Sequence, residues 1–225
     1  MTALANSGKA KATRVLLVDD HPVVRDGFAE VINHESDLTV CAAAEDRAGA
    51  LQAIETTRPG LVVIDLTLKN SSGMELIKDI HARWPKLLIL VVSMHNENLY
   101  AERVLRAGAR GYITKQQATR DILQAIRRVL SGGIYLNEST GAAVLARLAS
   151  NPQAKDDAVL DQLTDRELQV FELTGQGFNT REISNQLRID MKTVETYRLR
   201  IREKLNLENS SELLKLAIRW RQDQL

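Results

Sequence analysis

Short apolar runs alternate with amphipathic stretches through the first 130 residues. The runs are Val15–Val18, Leu38–Ala44, Leu61–Ile64, Leu87–Val92 and the brief Gly111–Thr114. Each is too short for a helix and rich in Val, Ile and Leu, as strands buried on both faces are. Between them lie Val23–Ile32, Arg47–Thr56, Gly73–Trp84, Asn98–Ala107 and Thr119–Leu130, with apolar residues at helical spacing. Five strand-then-helix units with short connections predict a parallel sheet covered by helices on both faces. Pro22 suits the first turn of a helix, and Pro85 ends one by pushing Trp84 out of helical geometry.

Beyond Ser131-Gly-Gly133 the pattern changes. A receding Ala/Leu stretch (Ala142–Leu148) predicts a short helix in a linker that includes Ser150-Asn-Pro-Gln153. From Leu163 the period is helical throughout. Thr164 and Glu167 form a capping box, and Gly175 and Gly177 stop that first helix. Asn179 caps a second over 180–187, Asp190 a third over 191–205, and Asn209 or Ser210 a fourth running to about Arg221. The expected organisation is an α/β domain at 14–133, a linker at 134–160 and an all-α four-helix domain at 161–225.

Composition narrows the function classes. The 225 residues carry a net charge of +1 and 44% apolar residues, ordinary for a globular protein. No apolar run reaches membrane-spanning length, and Met1–Thr13 lacks the apolar block of a secretory signal, so the cytoplasm is expected. The single cysteine, Cys41, excludes an internal disulfide framework or a cysteine-cluster zinc site, and its apolar surroundings predict an inert buried thiol. The charge is uneven: Arg188 to Lys204 holds six basic and three acidic residues. Such a run is either a solvated helix face or a nucleic-acid footprint.

In an open parallel sheet the ligand site lies beyond the carboxyl ends of the strands. The first strand ends in Asp19-Asp20, the third in Asp65, the fourth in Ser93, and the fifth leads from Thr114 into Lys115. Singly, these are turn or surface residues. Together they place three carboxylates, a hydroxyl and an ammonium on one rim. Adjacent carboxylates repel unless a cation sits among them, and hard oxygen donors suit Mg²⁺. A carboxylate beside Mg²⁺, a lysine and a hydroxyl is equipped to accept a phosphoryl group.

The stretches Leu17-Val-Asp-Asp-His-Pro22, Val63-Ile-Asp-Leu66 with Gly73 eight residues after Asp65, Val92-Ser93 and Gly111-Tyr-Ile-Thr-Lys115 resemble the receiver domain of bacterial response regulators, a flavodoxin-like fold. The resemblance covers 14–131. It implies that Asp65 takes phosphate from a sensor histidine kinase and that Asp19, Asp20, Asp65 and the backbone carbonyl of Thr67 hold Mg²⁺. It further implies that Lys115 and Ser93 contact the phosphoryl oxygens and that Tyr112 rotates inward on activation. Thr67 and His95 stand where members of the family tune phosphate lifetime. Leu68-Lys69 replace the Met-Pro of many receivers, so this loop is expected to be more mobile.

The tight connection Leu187-Arg-Ile-Asp190 between two short helices suggests a helix-turn-helix. Val194, Ile201 and Leu205 share one face of the second helix and would pack on Ile183 and Leu187. Lys192, Glu195, Thr196, Leu199 and Arg200 lie opposite. Lys192, Arg200, Thr193 and Tyr197 suit phosphates, and Lys204 flanks them. Glu195 suits a cytosine amino group; Thr196 or Leu199 suits a thymine methyl. The segments Leu163-Thr-Asp-Arg-Glu-Leu-Gln-Val170, Gly177-Phe-Asn-Thr-Arg-Glu-Ile-Ser184 and Lys192-Thr-Val-Glu-Thr-Tyr-Arg198 resemble the LuxR-type helix-turn-helix. With a receiver, this implies the NarL/FixJ class. In that class the fourth helix commonly makes a dimer contact, for which Leu213, Leu216, Ala217 and Trp220 are candidates beside a core role.

The expected function is a transcription regulator that binds double-stranded DNA and dimerises when Asp65 is phosphorylated. The main rival is a phosphorylation-independent DNA-binding regulator with a vestigial receiver. A phosphohydrolase of the haloacid-dehalogenase type would need a second Asp where Thr67 stands, so a turnover enzyme is not expected. An adaptor would leave the basic helix without a purpose.

Overall fold

The computed structural model describes residues 12–69, 71–95, 97–149, 160 and 162–222. The stretch 150–153 and residues 1–11 of the segment read above for a secretory signal lie outside them. The chain divides into two compact units, 1–144 and 145–225.

In the first unit, β1 (Thr13–Val18), β2 (Leu38–Ala44), β3 (Leu61–Ile64), β4 (Leu88–Ser93) and β5 (Gly111–Thr114) form one parallel sheet in the order β2-β1-β3-β4-β5. The central strands are buried on both sides, which is why they read as unbroken apolar runs. Val15, Leu17, Leu61, Val63, Leu90 and Val92 form one core with Ile32 of α1 (Pro22–Asn33) and Ile122, Ile126 and Val129 of α5 (Lys115–Leu130). The alternate side chains Leu16, Val62, Ile64, Ile89 and Val91 are equally buried. The other layer is α2 (Arg47–Thr57), α3 (Gly73–Arg83) and α4 (Glu97–Ala107); α2 packs on β1 and β2, α4 on β5, and α3 against both helices. The strand order reverses between β1 and β3, so their carboxyl ends flank a crevice.

Three local readings are corrected. Helix α5 begins at Lys115, not Thr119, because Thr114 and Gln117 complete a capping box that the apolar pattern did not mark. Helix α6 (Glu138–Ala149) likewise begins four residues before its apolar stretch. Asn137 starts it: Oδ1 accepts from the Thr140 amide at 2.7 Å and the Ser139 hydroxyl at 2.8 Å. Cys41 is only half-buried, since β2 is an edge strand, and its Sγ lies 3.5 Å from the Thr57 hydroxyl.

The sheet edge continues past the last helix of the unit. Tyr135 forms a parallel bridge with Gly111, accepting from the Tyr112 amide at 2.9 Å. Asn137 donates to Glu97 at the start of α4 through both its amide nitrogens, the backbone one at 3.0 Å. Burial pushes the Glu97 carboxyl up against the pull of these donors.

The second unit holds α7 (Asp165–Gly175), α8 (Thr180–Leu187), α9 (Met191–Lys204) and α10 (Ser210–Gln222). The capping boxes at Thr164 and Asn179 are both present. Asp190 occupies the cap position of α9 in extended conformation but makes no side-chain cap bond; its carbonyl accepts from Thr193 and Val194 instead. Asn209 rather than Ser210 caps α10, accepting from the Glu212 amide at 3.0 Å. Gly175 remains inside α7 because α10 passes so close that a Cβ there would lie 2.5 Å from the Ala217 carbonyl oxygen.

Candidate functional site

The crevice at the reversal point gathers the residues at the strand ends. Asp19 and Asp20 follow β1 and Asp65 follows β3; all three are buried. Lys115, the first residue of α5, reaches across from β5. Its Nζ lies 2.7 Å from Asp19 Oδ2 and 2.7 Å from Asp65 Oδ2. With strand and helix joined at Thr114, no loop loosens this lysine. Asp19 also accepts from the His21 amide at 2.8 Å, and its carbonyl accepts from Arg25 at 2.8 Å. These bonds orient the turn that presents both aspartates.

His21 was not singled out from the sequence, yet it joins the cluster. Its Nδ1 lies 3.2 Å from Asp19 Oδ1 and 2.8 Å from Asp20 Oδ1, and ligand atoms of Asp19, Asp20, His21 and Asp65 all fall within 4.8 Å of one another. The available signal was its position directly after the Asp pair.

Burial pushes the Asp65 carboxyl above the usual carboxylate range, opposed by Lys115 and by the Thr67 amide, which donates to Oδ1 at 3.3 Å. Burial works against the Lys115 ammonium too, but Asp65 and Asp19 outweigh it and raise its pKa. One lysine thus faces three buried carboxylates. That oxygen-rich excess of negative charge fits a metal ion.

Beside this cluster a second group links the strand ends. Thr67 Oγ1 and His95 Nε2 are 3.0 Å apart. Ser93 is fully buried, and its hydroxyl accepts from the His95 amide at 3.3 Å. Tyr112, also fully buried, donates its phenolic proton to the His95 carbonyl at 2.8 Å. Tyr112 is therefore in the inward position. Thr67–Leu68 pair antiparallel with Ser71–Ser72, Lys69 pairs with Glu45 at 2.9 Å, and the Ser71 hydroxyl accepts from the Arg47 amide at 3.2 Å.

In the second unit α8 and α9 are joined by a turn in which Arg188 takes a left-handed conformation (φ 51°) and the Ser184 hydroxyl donates to the Ile189 carbonyl at 2.7 Å. Val194 and Ile201 are buried with Ile183 and Leu187. Lys192, Glu195, Thr196, Leu199 and Arg200 are exposed together, with Thr193 and Tyr197 half-buried at the margin. Thr196 donates its hydroxyl to the Lys192 carbonyl at 2.9 Å.

Two groups of predicted residues are placed differently. Lys204 turns inward: its Nζ lies 2.6 Å from Glu167 Oε2 and 3.1 Å from the Gln162 carbonyl. Leu213, Ala217 and Trp220 are buried inside the unit, where Trp220 meets Phe171 edge-on at 6.0 Å. That burial corrects them as dimer contacts; Leu216 is half-buried, and the exposed apolar side chains of α10 are Leu214 and Ile218.

The Lys204–Glu167 pair gives a stability prediction. Burial alone would raise the Glu167 carboxyl, but Lys204 and the Thr164 donors lower it below its ordinary value of 4.5. Its contribution is therefore present above that value and lost as the pH falls below it. Lys204→Met leaves Glu167 buried without its cation and is expected to cost this unit about 1–3 kcal/mol at neutral pH. Thermal melts of both chains should show the gap narrowing in acid; a gap constant with pH contradicts the assignment.

Comparison with known proteins agrees with both units. The chain matches the family described as "Response regulator receiver domain" over residues 15–127 and that described as "Bacterial regulatory proteins, luxR family" over residues 161–217. It belongs to the response regulators that join a receiver to a LuxR-type DNA-binding domain, the transcription regulators of two-component systems. It is 36% identical to the transcriptional activator protein ExaE of Pseudomonas putida over 207 residues, covering 91% of this chain and 95% of that one. It is 30% identical to the oxygen regulatory protein NreC of Staphylococcus haemolyticus (strain JCSC1435) over 210 residues, covering 92% and 97%. Among solved structures it is similar to RcsB from Salmonella enterica serovar Typhimurium bound to promoter rprA in the presence of the phosphomimetic BeF3⁻, with 26% identity, a TM-score of 0.61 and coverage of 92% and 98%. Among the described residues no helix is long and apolar enough to cross a membrane. The phosphorylation-independent reading is not favoured.

Proposed function

We propose that this chain switches transcription through phosphorylation of Asp65 by a sensor histidine kinase in the cytoplasm. The observation that supports it is the convergence of Lys115 on Asp65 and Asp19 at the reversal point of the sheet. The Asp65 carboxylate attacks phosphorus; the P–N bond of the kinase phosphohistidine breaks, and the imidazole leaves. Asp19, Asp20, Asp65 and the Thr67 carbonyl would hold Mg²⁺, which neutralises charge on the transferring group. Lys115 binds a phosphoryl oxygen, and Ser93 donates its hydroxyl to another. Thr67 and His95, hydrogen-bonded to each other, limit the approach of hydrolytic water and so set the phosphate lifetime. Ser93, His95 and Tyr112 share one hydrogen-bonded group, so a pull on the Ser93 hydroxyl biases the face of α4, β5 and α5 between two states.

The output is DNA binding by α9. Lys192, Arg200, Thr193 and Tyr197 meet phosphates and hold the register. Glu195 accepts from a cytosine amino group; the Thr196 methyl and Leu199 meet thymine methyls. Two chains bind paired half-sites as a homodimer. RcsB bound to a promoter in the presence of a phosphomimetic supports a link between phosphorylation and DNA binding here.

Light scattering on the full-length chain with Mg²⁺ and beryllofluoride tests the switch. The expected result is a monomer-to-dimer shift in the wild type and a constant monomer in Asp65→Asn. A variant that shifts like the wild type would place the switch elsewhere.

A further inference from the structure

Glu195 is exposed on α9, yet its carboxylate is not loose. Oε1 accepts from the Thr180 hydroxyl at 2.5 Å. The same hydroxyl accepts from Arg198 Nη1 at 2.8 Å, and Arg198 Nη2 donates to the Phe178 carbonyl at 3.3 Å. Nη1 also lies 3.8 Å from Glu195 Oε1. Thr180 is the first residue of α8, so this chain of bonds ties the start of that helix to the exposed face of α9.

The donor inventory gives the arrangement a direction. A threonine hydroxyl has one proton, and here Glu195 takes it. Thr180 therefore has no proton left for a phosphate, the bland role of a hydroxyl at the start of this helix. A glutamate on such a surface faces the negative field of the DNA backbone. Arg198 places positive charge beside it, and the hydroxyl fixes one of its two oxygens, leaving Oε2 to accept from a base. A long side chain already held in one arrangement loses less conformational freedom on binding.

We propose that Thr180, braced by Arg198, is a positioning residue that sets Glu195 to read a cytosine amino group, and so determines preference at one base pair. This rests on the reading of Glu195 as a base contact. The test selects duplexes from a randomised pool with the full-length, beryllofluoride-treated chain. Binding is then measured on the selected duplex and on versions with each base pair changed, across a salt series.

Glu195→Ala and Thr180→Val are both expected to reduce discrimination at one shared base pair by about tenfold, with other positions and the salt slope unchanged. Thr180→Ser, which keeps the hydroxyl, should retain the preference. If Glu195→Ala relaxes that position and Thr180→Val does not, the positioning role is refuted while the reading of Glu195 stands. Thr180→Val weakening all duplexes alike, with a shallower salt slope, makes Thr180 a phosphate contact and also overturns the proposal. Glu195→Ala leaving every preference intact removes the underlying reading, and the proposal with it. Should thermal melts show that Thr180→Val does not fold, Arg198→Met breaks the same brace, and its loss or retention of the shared preference decides in the same way.

Discussion

Gly73→Ala is expected to destabilise the first unit by about 3 kcal/mol and to slow phosphorylation of Asp65 from acetyl phosphate at least several-fold. A Cβ at Gly73 would stand 2.1 Å from the Asp65 carbonyl oxygen, 2.7 Å from Leu66 Cα and 2.9 Å from the Asp65 carbonyl carbon. These are backbone atoms, so no side chain can swing aside. The Gly73 amide meanwhile donates to the Leu66 carbonyl at 2.9 Å, which holds the start of α3 against this loop. Relief would require β3 and α3 to separate, and that movement would displace Asp65, the proposed phosphoacceptor. Gly27, mid-helix in α1 with nothing within 4 Å of an added Cβ, is the control. Gly27→Ala should stabilise by about 0.5–1 kcal/mol through helix propensity alone. Thermal melts and a phosphate-affinity gel on both variants check the pair; a Gly73→Ala chain that melts and reacts like the wild type contradicts the close approach.

The spacing of Gly73 after Asp65 was visible in the sequence, but its reason was not, because contact between two backbones leaves no side-chain pattern. The carboxyl-end residues were legible for the opposite reason. Strands buried on both faces show as unbroken apolar runs, and the first polar residue after each run marks the rim. Asp19, Asp20, Asp65, Ser93 and Lys115 were read in that way; the structure gathers the three aspartates, sets Lys115 on Asp19 and Asp65, and places Ser93 in the neighbouring group with His95. Where a helix begins with polar residues, the pattern fell short. Lys115-Gln-Gln117 and Glu138-Ser-Thr140 carry no apolar stripe, so α5 and α6 seemed to start later than their caps place them.

The last helix shows a different limit. Leu213, Ala217 and Trp220 form one stripe; Leu214 and Ile218 form a neighbouring one, also apolar. Periodicity identifies both stripes without saying which turns inward. Packing against α7 decides it, and that packing joins residues more than forty positions apart. A separation of 37 positions likewise hid the link from Lys204 to Glu167. Lys204 reads as one more cation in a basic run until α7 is seen beneath it. Thr180 and Glu195 are only fifteen residues apart, but their contact depends on the angle set by the turn at Arg188.

Lys115→Met should separate the two contributions of the lysine, to folding and to switching. Its ammonium is 2.7 Å from each of two carboxylates that are almost fully removed from solvent, with Asp20 beside them. Removing one partner of a buried ion group leaves the rest uncompensated, which costs about 3–5 kcal/mol. The melting temperature in EDTA is therefore expected to fall well below that of the wild type. A divalent cation binding the folded state stabilises it by mass action. With less positive charge in the crevice, Mg²⁺ should raise the melting temperature of Lys115→Met by more than it raises the wild type. The switch should not recover with it. On the proposed function, a cation among Asp19, Asp20 and Asp65 would not replace the ammonium that binds a phosphoryl oxygen, so beryllofluoride should no longer change the mass seen by light scattering. Equal stability in EDTA and an equal response to Mg²⁺ would mean that the three carboxyls are not held charged, and the case for a metal ion among them would fall. Stability restored by Mg²⁺ together with a retained beryllofluoride response would confine Lys115 to holding the fold. Only recovery of the fold without recovery of the switch assigns the lysine to both.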